Sequence, residues 1–158
     1  DIDHQVPIYM GRNEASHKAF MHAFVQGSTD RLLEGHRLFE WQFQTDADAV
    51  NRSQTAGPKS ENRTAENFED IIDIFGDQTA FAISVPGHTA GSTAYLLRTT
   101  KGPVLLTGDA CHTRWGWDNE VEPGKFTEDH PRNLANLKKL RSLTKKHPSI
   151  ETRLGHQR

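Results

Sequence analysis

Two apolar strands that end in turns bearing metal-competent side chains constrain this chain more than anything else in it. The stretch from Val85 to His112 reads VPGHTAGSTAYLLRTTKGPVLLTGDACH. His88 stands in a Pro-Gly turn before one apolar run, and Asp109 in a Gly-Asp turn after the next. Gly87 and Gly91 permit tight turns and let an ion or ligand approach the backbone. A strand-end turn holds an imidazole rigidly, as metal binding needs. A carboxylate at the end of a buried strand wants a cation or several donors beside it, because burying a lone charge is costly. A third pair, Gly155-His156, follows one helix-like and one strand-like segment later.

Each residue also has a plain reading. A Gly-His turn is commonly a surface histidine with its own hydrogen bonds, and Gly-Asp is a common turn dipeptide whose side chain bonds its own backbone. The three residues lie 21 and 47 positions apart, so no single helix gathers them. Only a sheet whose strand ends converge does that. Three such turns in one chain shift the balance toward a metal site.

The rest of the chain supplies such a sheet. Ile72 and Ile74, then Phe81, Ile83 and Val85, alternate with smaller or polar residues about Gly76-Asp77, which predicts a hairpin. Two more strands are expected over Thr93 to Leu97 and Pro103 to Thr107, joined near Lys101-Gly102. Pro131 suits the first turn of a helix capped by Asp129. Leu134, Leu137, Leu140 and Leu143 recur along it, Lys145, Lys146 and His147 complement its C-terminus, and Pro148 ends it. Ile150 to Leu154 reads as a last strand delivering Gly155-His156. Earlier, Val6 to Met10 suits a short buried strand. Asn13 is read as the cap of a helix carrying Ala19, Phe20, Ala23 and Phe24 on one face, and Leu32, Leu33, Leu38 and Phe39 suggest a second helix bent near Gly35. From Gln44 to Glu66 the sequence is polar, and residues 44–67 are expected to form a surface excursion.

At 158 residues the chain is one domain by length. Apolar residues make up 34%, and adding the 12 glycines leaves the total a little below the ~45–50% usual for globular domains. That points to a loop-rich domain or to an incomplete one, and the start at Asp1 without a Met points the same way. Net charge is -2, so no basic field draws nucleic acid or anionic lipid, and neither is expected as a partner. The single cysteine, Cys111, excludes an internal disulfide and a Cys-based zinc site. No export leader and no apolar run near ~18 residues is visible, so a cytoplasmic location is expected.

The Pro-Gly-His-Thr-x-Gly-Ser turn at His88, the apolar strand into Gly-Asp-Ala at Asp109, and the Gly-His at His156 together resemble the metallo-β-lactamase superfamily of metallohydrolases. Order and spacing agree from about Phe68 to the end. The resemblance implies an α/β fold, specifically the C-terminal half of an αββα sandwich with metals at the sheet edges. It implies His88 as a ligand of a first metal, Asp109 as a carboxylate bridging two, and His156 as a ligand of the second. The family's His-x-His-x-Asp-His turn is nowhere in the chain. Asp1-Ile2-Asp3-His4 lacks its two leading histidines and sits too close to the first strand. The expectation is therefore a half-domain that pairs with an absent N-terminal half or with a second copy of itself.

The resemblance further implies two cations in a complete site, zinc first, with iron or manganese as alternatives. They would supply a hydroxide to attack an ester, lactone, thioester or amide of a small molecule, with Asp109 orienting the nucleophile and taking part in proton transfer. Trp115, Trp117 and Phe126, in the segment after Asp109, either wall a substrate pocket or anchor their loop to the body. His112 and His130 are read as bystanders or loop hydrogen-bonders and not as ligands, and Cys111 as a small buried residue. Two rival readings stand beside this one. The first is a catalytically incompetent half-domain that binds metal weakly or serves as an assembly or binding partner. The second is phosphodiester hydrolysis, against which the acidic balance speaks.

Overall fold

The structure is a computed structural model that describes residues 6–14, 33–43, 68 and 71–157. The helix read from Ala19 to Phe24 and the polar excursion over 44–67 lie outside the described residues, as does Asp1 to His4.

Five strands form the main sheet: β3 (Ile71–Asp73), β4 (Ala80–Ser84), β5 (Thr93–Thr99), β6 (Gly102–Leu106) and β7 (Glu151–Arg153). They lie in sequence order, antiparallel from β3 to β6, with β7 added parallel to β6. The first hairpin closes where the sequence predicts. Asp73 accepts from the backbone N–H groups of Gly76 and Gln78, and Asp77 accepts from Thr79. Short side chains that bond their own backbone are what such turns select. Gly102 begins β6 with a φ of 118°, a conformation open to glycine and costly for other residues.

Alternation along the strands divides the sheet into two faces. Ile83, Ala94, Leu96 and Leu105 pair across β4, β5 and β6 on one face. There they join the core with Val85, Leu137, Leu140 and Leu154. The helix α2 (His130–Lys146) covers this face, burying Leu137, Leu140 and Leu143 together with two polar residues, Asn133 and Asn136. Its start matches the sequence: the Asp129 side chain accepts from Arg132 N, and a proline stands in the first turn. A shorter helix, α1 (Arg114–Asn119), lies between the end of β6 and α2, with the Thr113 side chain accepting from Gly116 N.

On the opposite face, the Tyr95 hydroxyl accepts from Trp41 Nε1 at 3.2 Å. Trp41 follows β2 (Leu38–Glu40), which runs parallel to β1 (Ile8–Met10) in a separate two-stranded sheet. Leu38 and Phe39 therefore belong to a strand and not to the helix suggested by Leu32 to Phe39. A two-residue apolar pair fits either period, and here pairing with Ile8 and Tyr9 decides. Tyr9 stacks on both Phe39 and Trp41, with centroids 5.3 and 4.6 Å apart. Among the described residues no helix is long and apolar enough to cross a membrane.

Candidate metal centre

The turn after β4 is built by backbone bonds. Val85 N donates to Ser92 O, and Gly87 N donates to Thr89 O. Glu14 fastens the turn from outside, accepting from Thr89 Oγ1 at 2.7 Å and from Gly91 N at 3.0 Å. From the other side, Asp129 N donates to Gly87 O, and Glu128 N donates to His88 O. Gly87 has a φ of 145°, and a Cβ there would stand 2.4 Å from Asn133 N, so α2 is seated directly against the turn. His88 is thus held by its own turn, by the segment before α2 and by the residues after β1.

Asp109 stands in a 3₁₀ turn (Gly108–Ala110) directly after β6. The next residues pair with the chain end beyond β7: Gly155 N donates to Cys111 O, and His156 N donates to His112 O. This pairing stacks the His112 and His156 rings at 3.8 Å, 12° from parallel. Both Nε2 atoms lie 3.3 Å from the same atom, Asp109 Oδ1. A Cβ on Gly155 would meet that oxygen at 2.7 Å, so the carboxylate reaches its place only across a glycine.

His88, Asp109 and His156, the three residues singled out in the sequence, therefore come together at one edge of the sheet. So does His112, which the sequence suggested was a bystander or a loop hydrogen-bonder. His88, Asp109 and His112 offer ligand atoms that all lie within 4.8 Å of one another. The His88 and His112 rings meet edge to face at 5.3 Å.

This donor set fits a divalent cation. Imidazole nitrogen and carboxylate oxygen suit zinc, iron and manganese alike. The Nε2 of His112 is buried and, although near Asp109, makes no hydrogen bond of acceptable geometry. An unpaired buried nitrogen is costly, and a cation satisfies it. Burial also holds the His112 imidazole below its usual pKa; the charges of His156 and His88 add to this, and Asp109 opposes it. A neutral imidazole keeps a lone pair to give.

Around these residues lies a supporting layer that the sequence did not disclose. Asn136 Nδ2 donates to Pro86 O at 2.7 Å, and Asn133 Nδ2 donates to Ala110 O at 3.3 Å. One turn of α2 thereby ties the His88 turn to the Asp109 turn. Thr127 Oγ1 lies 3.3 Å from His88 Nδ1, and its side chain also bonds Glu122, which pairs with His130 Nδ1 at 2.7 Å. Glu122 has its carboxyl pushed up by burial, but bonds from His130, Thr127 and Gly124 outweigh this and hold it below its usual value. A Thr127 hydroxyl that donates to Glu122 would accept from His88 Nδ1–H and leave the His88 lone pair on Nε2.

Of the three aromatic residues after Asp109, Trp117 belongs to the buried core cluster together with Cys111. Trp115 is 65% exposed and Phe126 47%. Burial pushes the Cys111 thiol up, which disfavours the thiolate a nucleophile needs.

No protein-family profile matches the chain. Among curated proteins, an N-acyl homoserine lactonase AttM of Azorhizobium caulinodans is 37% identical over 79 residues, which cover 49% of this chain and 30% of that one. Among solved structures, B. thuringiensis AiiA with N-decanoyl-L-homoserine at its active site matches with a TM-score of 0.59 at 21% identity, over 97% of this chain and 48% of AiiA. An N-acyl homoserine lactone hydrolase with its product N-hexanoyl-L-homoserine bound at the catalytic metal centre matches to the same extent, also at a TM-score of 0.59. The chain therefore spans about half the length of the solved proteins it matches. Its fold is that of these lactone hydrolases, the metallo-β-lactamase fold that its sequence motifs resemble.

Proposed function

We propose that the chain is part of a metal-dependent hydrolase that opens the ring of a small lactone. The observation that carries this reading is the convergence of His88, Asp109 and His156 on one edge of a sheet whose fold is that of N-acyl homoserine lactone hydrolases. His88 and Asp109 would hold a first cation, and Asp109 and His156 a second, zinc being the first choice. Bound there, such cations lower the pKa of water and draw electron density from a carbonyl.

The chain's own residues do the rest. Thr127 turns His88 so that Nε2 faces the site. Asp109, whose side chain is 46% exposed, reaches both the imidazoles and the solvent where a substrate arrives. It accepts the proton lost by water as water adds to the lactone carbonyl, and returns it to the ring oxygen as the carbon–oxygen bond breaks. Trp115 and Phe126 are exposed and would offer apolar surface to a hydrophobic substituent.

Ring opening of an N-acyl homoserine lactone, followed by proton release with and without added zinc, tests the reading. The assay is run on this chain and on a longer protein that contains it. Activity that needs the metal and disappears in Asp109→Asn supports the proposal, whereas a longer protein inert toward lactones, esters, thioesters and amides with zinc, iron or manganese sinks it. A second reading, a non-catalytic partner, draws on the absence of His-x-His-x-Asp-His from these 158 residues. Copurification of the chain with a segment that carries the motif, or with a second copy, distinguishes an assembly in which the site is completed from one in which it is not.

A further inference from the structure

We propose that His112 is itself a metal ligand, so that His88, Asp109 and His112 hold one divalent cation without any residue from outside the chain. This rests on the reading of the site as a metal centre and goes beyond the three residues that reading requires. Four observations lead to it. The ligand atoms of His88, Asp109 and His112 lie within 4.8 Å of one another, which only a modest inward shift converts to coordination. His112 Nε2 is buried with no hydrogen bond of acceptable geometry, so a cation beside Asp109 would satisfy it. Its distance to Asp109 Oδ1, 3.3 Å, agrees with the roughly 3.3–3.6 Å edge of a tetrahedron of nitrogen and oxygen ligands at about 2.0–2.2 Å from zinc. Finally, the His112 backbone is fixed by His156 N, so its ring is placed before any cation arrives.

His156 occupies a different place. It stacks on His112 and approaches the same Oδ1, but it is 61% exposed. The inner site is thus filled by His112, and His156 remains available on its outer side.

A bland alternative is that His112 serves only as a stacking brace for His156. His112→Phe separates the two, since phenylalanine keeps the stack and loses the nitrogen. The full 158-residue chain, stripped of metal, is titrated with Co²⁺ and followed by its visible ligand-field absorption, with Zn²⁺ displacing Co²⁺ to give a second affinity. Wild type is expected to bind one Co²⁺ per chain, and His112→Phe to bind at least about tenfold more weakly with an altered spectrum. Histidine ¹⁵N chemical shifts of the unmutated chain give a readout independent of folding of the variant: the His112 Nε2 resonance is expected to move on Zn²⁺ addition.

If His112→Phe binds within twofold of wild type and the His112 resonance stays put, the proposal is overturned. Wild type that takes up no Co²⁺ overturns it too. The underlying reading fails separately, when His88→Ala and Asp109→Asn bind Co²⁺ as wild type does. Loss of binding in those two variants alone keeps the metal centre and discards His112.

Discussion

The hydroxyl of Thr127 stands 3.3 Å from Nδ1 of His88, 39 residues away in the chain. A histidine that binds a cation through one nitrogen is oriented through the other, and loss of such a partner typically costs 10–100-fold in metal affinity. Thr127→Val is therefore expected to weaken Zn²⁺ binding by about tenfold, and Thr127→Ser to restore it. Competition against a colorimetric chelator measures both. Equal affinity in the valine variant would remove Thr127 from the site.

Asn136 is the tighter of two ties between α2 and the ligand turns. In Asn136→Leu the Pro86 carbonyl loses a 2.7 Å bond and stays buried, which costs about 1–3 kcal/mol. Asn133→Leu, whose bond to Ala110 O is 3.3 Å, is expected to cost less. Urea unfolding of the two variants checks the order. A reversed order would mean that packing around the side chains outweighs the hydrogen bonds.

At Gly155 the constraint is space. An added methyl would stand 2.7 Å from both Asp109 Oδ1 and Gly108 O, so the carboxylate or the turn has to move. Gly155→Ala is expected to destabilise by about 1–3 kcal/mol, as overpacked sites do, and to weaken metal binding at the same time. Thermal melts with and without Zn²⁺ separate the two effects. A variant that melts lower yet gains as much from Zn²⁺ as wild type would show that Asp109 does not depend on this glycine.

Glu122 predicts an acid response. Its folded pKa lies below the ordinary value of about 4.5, so the folded state favours the ionised form. The stability this contributes is present above about pH 4.5 and is lost as the pH falls through the folded value. Glu122→Gln is expected to melt lower than wild type at pH 7, by an amount equivalent to about 1 kcal/mol, and to lose less on acidification to pH 3. Parallel melting curves for the two proteins across that range would remove Glu122 from the acid transition.

Much of the sheet was legible because its signals are local. Alternation in Phe81, Ile83 and Val85, the Gly76-Asp77 and Lys101-Gly102 turns, and the Asp129 cap each act within a few residues. His88, Asp109 and His156 were legible as a set because each ends a strand, and strand ends of one sheet converge. The pairing of Leu38–Glu40 with Ile8–Met10 was not, since parallel pairing depends on a partner far away in sequence. His112 gave no periodic signal, and its place is set by a backbone bond from His156. Asn133 and Asn136 resemble the polar face of an amphipathic helix until the carbonyls they satisfy are seen. Trp115 and Trp117 are indistinguishable by type, yet one is exposed and the other lies in the core.

β7 has three residues and pairs only with β6 among the described strands. The β3 to β6 meander rests on contacts between sequence neighbours, whereas β7 reaches β6 across α1 and α2, and long-range pairings of this kind are slow to form. Fraying of this one short strand would loosen the brace that His156 provides for His112. Hydrogen exchange at Gly155 and His156 is therefore expected to be faster than in β4 to β6, and faster still without a cation.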